Sequence, residues 1–147
     1  MWLSRFYLVL FGLLFMSCDN DDQPHARIPS VVLNEFGTRY PLAKDVEFSH
    51  VNGNYEVEFE IEGKDAKALF DPEGRLVKEK IEISWNQLPQ PVQQALNTYG
   101  QIKVNDPEII NVAGDTFYQV KIRQFFFNKK LVFNKLGEDD TPGEYWN

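Results

Sequence analysis

The feature that most constrains the fold of this chain is an internal repetition of its sequence. Ile28-Pro29 recurs sixty positions later as Leu88-Pro89. Further matches follow in the same order, first at the same offset and then at an offset of 63; the pairs are Val32 with Val92, Phe36 with Leu96, Tyr55 with Tyr118, Val57 with Val120, Phe59 with Ile122, Phe70 with Phe133 and Gly74 with Gly137. Because order and spacing are both kept, the sequence predicts two copies of one supersecondary unit, residues 28–85 and 88–147.

Each copy is predicted to begin with an amphipathic helix. In the first copy Pro29 suits a first helical turn, where a missing N–H donor costs nothing, and Pro41 prevents continuation. Between them lies an apolar stripe at helical spacing, made of Val32, Leu33, Phe36 and Tyr40. The second copy has a stripe of the same kind, followed by a glycine suited to a left-handed cap: Val92, Leu96, Tyr99 and then Gly100. These stripes predict helix faces that pack on the rest of the protein.

Strands are predicted to follow each helix. Residues 55–62 alternate strictly between apolar side chains and glutamates, the pattern of a half-buried antiparallel strand. A turn at 63–65, a return strand at 66–70, a turn at 71–74 and a long strand through Trp85 complete the first copy, and residues 116–133 repeat the scheme before a short last strand. The order helix, strand, strand, strand, written twice, predicts an α+β fold. Since about 55 residues bury too little surface alone, we expect one body with the helices on one face of the sheets.

The N-terminal segment has the pattern of an export signal. Arg5 precedes an unbroken apolar run at residues 6–16, which is too short to span a bilayer. Cys18, the single cysteine, follows Ser17 and resembles the lipobox cysteine of bacterial lipoproteins, which is lipidated after the signal is cut before it. The sequence therefore predicts a signal peptide at 1–17, a lipid anchor at Cys18 and an acidic tether at 18–27. An uncleaved anchor and an ordinary signal peptide remain as alternatives.

The predicted signal peptide and lipid anchor imply a protein held at the outer membrane through its lipid, facing the periplasm or the cell surface. The chain has 22 acidic and 15 basic side chains, a net charge of −7, which becomes −8 once Arg5 is removed with the signal. Such a charge disfavours a nucleic-acid partner, because binding a phosphate backbone requires cations.

Sequence motifs of common enzymes are absent from the chain. It contains no nucleophile elbow, zinc-binding His-Glu-x-x-His, Walker loop or dinucleotide fingerprint. Its two histidines, His25 and His50, cannot form a multi-histidine zinc site with a lipidated cysteine. We therefore predict no catalytic residue, no metal site and no cofactor.

Two features remain as candidate partner-binding sites. Glu56, Glu58 and Glu60 share one strand face, with neighbours about 6.8 Å apart. They form either a solvated face matched by basic residues on other strands, a docking surface, or carboxylates spaced for acid–base chemistry or for a divalent cation. The second feature is the phenylalanine triplet at 125–127, in which alternation sends at least one ring away from the core. Phe125 and Phe127 are therefore candidates for an exposed aromatic tip, the alternative being a longer hairpin whose three rings all cover the core edge.

Three stretches of the first copy, residues 40–48, 53–59 and 68–75, resemble the PepSY-like domain. That family is also described as β-lactamase-inhibitor-like, and it is common among exported proteins of Gram-negative bacteria. The resemblance extends over residues 28–147 and departs at 124–128, where Gln-Phe-Phe-Phe-Asn replaces the usual polar turn. It implies a tandem helix-plus-sheet fold like that of the β-lactamase inhibitor protein, no catalytic residue, and an association with inhibiting or chaperoning peptidases.

Together these observations predict a non-enzymatic, lipid-anchored module of the cell envelope that binds or inhibits another envelope protein, such as a peptidase. Two alternatives from other classes stay open. A carboxylate-dependent hydrolase would need two glutamates held in one pocket, whose surroundings push their pKa values apart. A structural envelope protein would have no discrete ligand.

Overall fold

The described part of the chain folds into one antiparallel sheet with two α-helices. A computed structural model describes residues 28–124, 127–141 and 146. Its elements, in chain order, are α1 Ser30–Arg39, β1 Lys44–Val51, β2 Asn54–Ile61, β3 Lys64–Phe70, β4 Leu76–Glu82, a short 3₁₀ helix Trp85–Gln87, α2 Gln90–Asn97, β5 Lys103–Val112, β6 Asp115–Gln124 and β7 Phe127–Asn134. The seven strands lie side by side in chain order, β1 to β7. The predicted signal peptide at 1–17 and tether at 18–27 lie outside the described residues, in which no helix is long and apolar enough to cross a membrane.

Both helices cover the same face of the sheet. Phe36 of α1 is buried, and its ring lies 5.1 Å from that of Phe59 on β2 and 5.4 Å from that of Phe48 on β1. Val92 and Leu96 of α2 are buried in a second cluster. The first cluster comprises Val32, Phe36, Tyr40, Phe48, Val57, Phe59, Ala66, Ala68 and Phe70, and the second Ile83, Leu88, Val92, Leu96, Val120, Ile122, Leu131 and Phe133. The apolar side chains of β2 and β6 therefore face the helices, as their alternation predicts.

The two clusters are separated by a polar chain of side chains at the middle of this face. The Tyr40 hydroxyl donates a hydrogen bond to Oε2 of Glu79 on β4. Asn111 on β5 donates to the other oxygen of the same carboxylate at 2.9 Å, and Thr116 on β6 donates to Asn111 at 2.8 Å. Burial, reinforced by the bond to Glu79, raises the pKa of Tyr40 far above its ordinary value. Both oxygens of the Glu79 carboxylate are thus satisfied beneath the helices.

The strand order differs from the predicted helix and three strands, because a strand precedes the alternating one in each half. β1 and β5 are antiparallel neighbours of β2 and β6. Both contain an irregularity where an aspartate adopts a positive φ, 49° at Asp45 and 45° at Asp106. A bulge shifts the side-chain alternation by one residue, which conceals a strand from a period-two search.

Four further expectations need correction. Leu33 is 42% exposed and does not join the buried stripe of α1. The hairpin after β2 turns at Glu62-Gly63 and not at 63–65, and β4 ends at Glu82, so that Trp85 lies in the 3₁₀ helix. In place of the short last strand, the described residues show a single bridge between Phe133 and Asp139, while residues 142–145 and 147 lie outside them. For the turn and the strand ends, pairing with a neighbouring strand sets the boundary, which the periodicity of a single strand does not report.

The turns that follow β3 and β7 share one geometry. Oδ1 of Asp71 accepts hydrogen bonds from the backbone N–H groups two and four residues later, at 3.1 and 2.9 Å. Oδ1 of Asn134 does the same at 2.9 and 3.1 Å. Each turn continues to a glycine with positive φ, 81° at Gly74 and 78° at Gly137. A Cβ on Gly137 would lie 2.5 Å from the carbonyl oxygen of Pro91, so this turn requires glycine both for its φ and for its contact with α2.

Candidate functional site: the open face of the sheet

The sheet face opposite the two helices carries most of the charged side chains of the central strands. We call it the open face; by register it presents Glu47, Glu56, Glu58, Glu60, Lys67, Leu69, Lys78, Lys80, Glu108, Ile110, Gln119, Lys121, Arg123, Lys130 and Val132. The three candidate glutamates lie here because Val57 and Phe59 between them point to the helices. The alternation of β2 therefore places the predicted site on this face.

Lysine on the neighbouring strand β3 pairs with two of these glutamates. Nζ of Lys67 lies 2.5 Å from a carboxylate oxygen of Glu58 and 3.7 Å from one of Glu56. Burial alone would lower the pKa of Lys67, but the hydrogen bond to Glu58 and the negative charge of both carboxylates raise it above its ordinary value. Glu60, which is half-buried, stands opposite Asp65 on β3. The carboxylates are thus spread along a strand beside a cation and do not converge on one another.

A second polar network crosses the centre of the open face, and the sequence patterns did not indicate it. Nζ of Lys80 lies 3.0 Å from Glu108, and both side chains are less than 15% exposed. Glu108 also accepts a hydrogen bond from the side chain of Gln119, which is buried. These three side chains come from β4, β5 and β6, so only the strand register brings them together. The nearest signal in the sequence is the alternation of β6, which assigns Gln119 to the face opposite Val120.

Trp146 lies across this face, distant in sequence from its partners. Its indole N–H donates a hydrogen bond to Oε2 of Glu56 at 3.0 Å. Nζ of Lys78 lies 4.6 Å from the centre of the ring and that of Lys80 6.0 Å, within the range of cation–π attraction. Lys130 donates to the Trp146 backbone carbonyl at 3.3 Å. Trp146 is only 2% exposed, and no local pattern of the sequence indicates a role for it.

Beside these networks the open face contains a depression of about 580 Å³. One margin is acidic, and we define it as Glu47, Glu58, Glu60 and Asp65. The opposite margin is basic, and we define it as Lys121 and Lys130; Arg123 follows Lys121 on the same face of β6, outside the depression. The exposed Lys121 makes an ion pair of 3.2 Å with Asp106, a partner at the strand bulge. The depression is therefore bounded by opposite charges on its two sides.

The phenylalanine triplet is described in part. Phe127 is 77% exposed, at the start of β7 and opposite Gln124 in the register. Phe125 and Phe126 lie outside the described residues. A role of Phe127 in partner binding stays a prediction.

Among the described residues, no group of three histidine, cysteine or acidic side chains is arranged to hold a metal ion. His50 lies against Tyr55, with 5.2 Å between ring centres, while His25 and Cys18 lie outside the described residues. What the open face offers chemically is hydrogen bonding and ion pairing over several strands.

Comparison with known proteins identifies the fold. No protein-family model matches the chain, and no curated protein matches it. Among solved structures, a BLIP-like protein from Bacteroides fragilis NCTC 9343 is similar over 87% of this chain and 97% of its own, with a TM-score of 0.68 and 21% identity. A DUF2874 family protein from Bacteroides uniformis ATCC 8492 is similar over 76% of this chain and 86% of its own, with a TM-score of 0.69 and 21% identity. A protein from Bacteroides eggerthii DSM 20697, named as a presumed periplasmic protein, is similar over 76% of this chain and 85% of its own, with a TM-score of 0.71 and 17% identity.

These similarities establish the BLIP-like fold that the sequence resemblance implied. At such identities they concern the fold alone, and membership of the PepSY-like family stays a prediction.

Proposed function

We propose that this chain is a non-enzymatic protein-binding module of the cell envelope and that it binds its partner with the open face. The observation that carries the proposal is the depression on that face, with an acidic margin on one side and a basic margin on the other. Among the described elements, both helices pack on the opposite face. Charges spread across a sheet in this way favour orientation of a macromolecular partner, because complementary margins steer association and set its register.

The charge pattern also indicates what the partner presents. A segment lying across the strands would place basic side chains on the acidic margin and acidic side chains on the basic margin. We propose inhibition or masking of such a partner, an envelope protein or peptidase, as the outcome of binding. The name of the Bacteroides fragilis neighbour, BLIP-like, agrees with this class of activity.

A carboxylate-dependent hydrolase is less well supported than a binding module. Glu56 and Glu58 both interact with Lys67, and Glu56 also accepts the bond from Trp146. Glu108 interacts with Lys80 and Gln119. Acid–base catalysis by two carboxylates requires both to face one pocket where they can reach a substrate, and each of these carboxylates is instead engaged with a cation or a side-chain donor.

We further propose that the mature protein is anchored in the outer membrane through a lipidated Cys18 and belongs to the PepSY-like family. The lipobox resemblance supports the anchor, and one structural neighbour bears a periplasmic name. Cys18→Ala should leave an uncut precursor without acyl groups, whereas the unaltered protein should begin at an acylated Cys18. Mass spectrometry that finds a mature chain starting elsewhere, without acyl groups, would refute the anchor.

We also infer that the two halves are tandem copies. The matching turns at Asp71 and Asn134, the matching bulges at Asp45 and Asp106, and the two helices over successive parts of one sheet support this inference.

The docking face is tested by partner capture with charge-reversed variants. Arg123 and Lys129 are exposed and lie on neighbouring strands, but by register only Arg123 belongs to the open face. The full-length chain is exposed to envelope extract, cross-linked, and its partners are identified by mass spectrometry. We expect Arg123→Glu to lose a partner that Lys129→Glu retains. Equal capture by both variants and by Glu58→Lys would refute the open face as the docking surface.

A further inference from the structure

We propose that Trp146 occupies a binding site for tryptophan on the open face, which we call the seat, and that a tryptophan side chain of the binding partner replaces it there. The seat consists of Glu56 at the indole N–H and Lys78 over the ring. The proposal rests on the function proposed above, because it assigns the chemistry of one contact that a partner makes with the open face.

The seat is selective for an indole. A carboxylate oxygen 3.0 Å from the ring nitrogen requires a ligand that donates a hydrogen bond at this position, which phenylalanine cannot do. The ammonium of Lys78, 4.6 Å from the ring centre, is attracted by the negative face of an aromatic ring, and the attraction is largest for tryptophan. Tryptophan is also a residue type that dominates the energetics of protein interfaces.

The seat is separate from the apolar clusters that stabilise the fold. Trp146 belongs to neither cluster under the helices, and Glu56 and Lys130, with which it makes hydrogen bonds, lie on the open face. Burial lowers the pKa of Lys78 below its ordinary value, although the charge of Glu56 opposes the shift. Covering this ammonium therefore has a cost that an apolar floor would not have.

The seat can be vacated without leaving its carboxylate unpaired. Glu56 interacts with Lys67 at 3.7 Å as well as with Trp146, and Lys67 lines the depression beside the seat. When the indole leaves, Glu56 keeps this cation and water can reach it from the depression. A buried carboxylate with no second partner would instead hold Trp146 in place. The geometry thus permits exchange of one indole for another.

The first experiment measures how Trp146 is held, in a chain that keeps the residue. Trp2→Phe and Trp85→Phe in the full-length chain leave Trp146 as its sole tryptophan. Glu56→Ala should then raise the acrylamide quenching of Trp146 fluorescence about threefold, because a hydrogen bond to a charged acceptor is lost. Glu58→Ala is the matched control, since Glu58 also pairs with Lys67 but does not bond the indole. Glu56→Gln, which keeps an acceptor oxygen, should restore low quenching.

The second experiment fills the vacated seat. Full-length Trp146→Ala should bind N-acetyl-L-tryptophanamide at least about tenfold more tightly than the unaltered chain, in which the internal indole competes. N-acetyl-L-phenylalaninamide, which has no ring N–H, should bind Trp146→Ala about tenfold more weakly than the indole ligand. Trp85→Ala is the control chain, because Trp85 is partly exposed and in the 3₁₀ helix.

Two results would overturn the proposal. The first is quenching of Trp146 that is unchanged in Glu56→Ala. The second is equal affinity of folded Trp146→Ala for the indole and phenyl ligands. If Arg123-dependent partner capture persists with either result, the seat is refuted while the open face stands as the docking surface. If the seat binds indole but no capture depends on Arg123, the seat stands and the proposed function fails.

Discussion

The two faces of the sheet are organised by different interactions. The helix-covered face contains two apolar clusters with one polar chain between them, in which Glu79 has both oxygens satisfied. The open face is built largely from charged side chains that pair across strands, such as Lys67 with Glu58 and Lys80 with Glu108. Burial of apolar area stabilises the first face, whereas ion pairs near water contribute little net stability. The difference indicates that the helix-covered face maintains the fold, which agrees with the proposal that the open face binds the partner.

The largest effect is expected on truncation of a phenylalanine beneath the helices, compared with an exposed phenylalanine at the start of β7. Phe70 is fully buried beneath the helices, and Phe70→Ala should cost about 3–5 kcal/mol of unfolding free energy because it leaves a cavity. Phe127 is exposed, and Phe127→Ala should change the free energy of unfolding by about 0.5 kcal/mol or less. Chemical denaturation of both variants measures the difference. Similar losses at the two positions would show that Phe127 is part of the core.

Removal of a carboxylate should produce a smaller difference in the loss of unfolding free energy between the two faces. Glu79→Ala leaves the buried Tyr40 hydroxyl and Asn111 amide without their acceptor, and we expect a loss of about 1–3 kcal/mol. Glu58→Ala removes a half-exposed ion pair with Lys67 and should cost about 1 kcal/mol or less. Urea denaturation at neutral pH checks both values. A greater loss for Glu58→Ala would contradict the assignment of structural roles to the two faces.

The pH dependence of stability should distinguish Tyr40 from Lys67. In the folded protein both groups have a pKa above the ordinary value. Each therefore contributes stability that is fully present at pH values below the pKa of the group in the unfolded chain, and this contribution is lost as the pH rises through the folded pKa. The difference in unfolding free energy between the unaltered protein and Tyr40→Phe should therefore decrease above pH 10.0. The corresponding difference for Lys67→Gln should decrease above pH 10.5.

Salt serves as the control in the same titration. Added salt should reduce the difference in unfolding free energy between the unaltered protein and Lys67→Gln, because the ion pairs of Lys67 lie near water. The difference for Tyr40→Phe should stay nearly unchanged, because the hydrogen bond of Tyr40 is buried. Denaturation midpoints from pH 7 to 11 at low and high salt measure both differences. Equal salt sensitivity would indicate that the two groups share one kind of environment.

The smallest effect is expected at the basic margin. Lys121 pairs with Asp106, and both side chains are more than half exposed. Lys121→Gln should alter the free energy of unfolding by no more than about 0.5 kcal/mol, because screening and side-chain entropy offset the attraction. The same variant should slow association with a partner at low salt if the margin steers binding. Stopped-flow association rates, compared with those of Lys129→Gln on the other face, test this.

Much of the fold followed from local patterns, while the strand bulges and the open-face networks did not. The alternation of β2 and the stripes of α1 and α2 identified the buried side chains Val57, Phe59 and Phe36 correctly. β1 and β5 were not predicted, because the bulges at Asp45 and Asp106 interrupt the alternation of their side chains. The three glutamates were found through the alternation of β2, but their partner Lys67 depends on the pairing of β2 with β3. Pattern alone leaves such pairs open, since it does not set the register between strands.

The sequence by itself determined several side chains buried beneath the helices, such as Phe36, Val57 and Phe59, and the closing glycines of the turns after β3 and β7. Those features depend on the spacing of apolar residues along one element and on glycines at positions such as Gly74 and Gly137, which local sterics govern. Only the tertiary structure decided that Glu56, Lys78 and Trp146 meet on the open face. Glu56 and Trp146 lie ninety residues apart, and no local periodicity relates them. Their contact arises because neighbouring strands align these side chains on one face and Trp146 lies against it, and contacts of that kind depend on the whole fold.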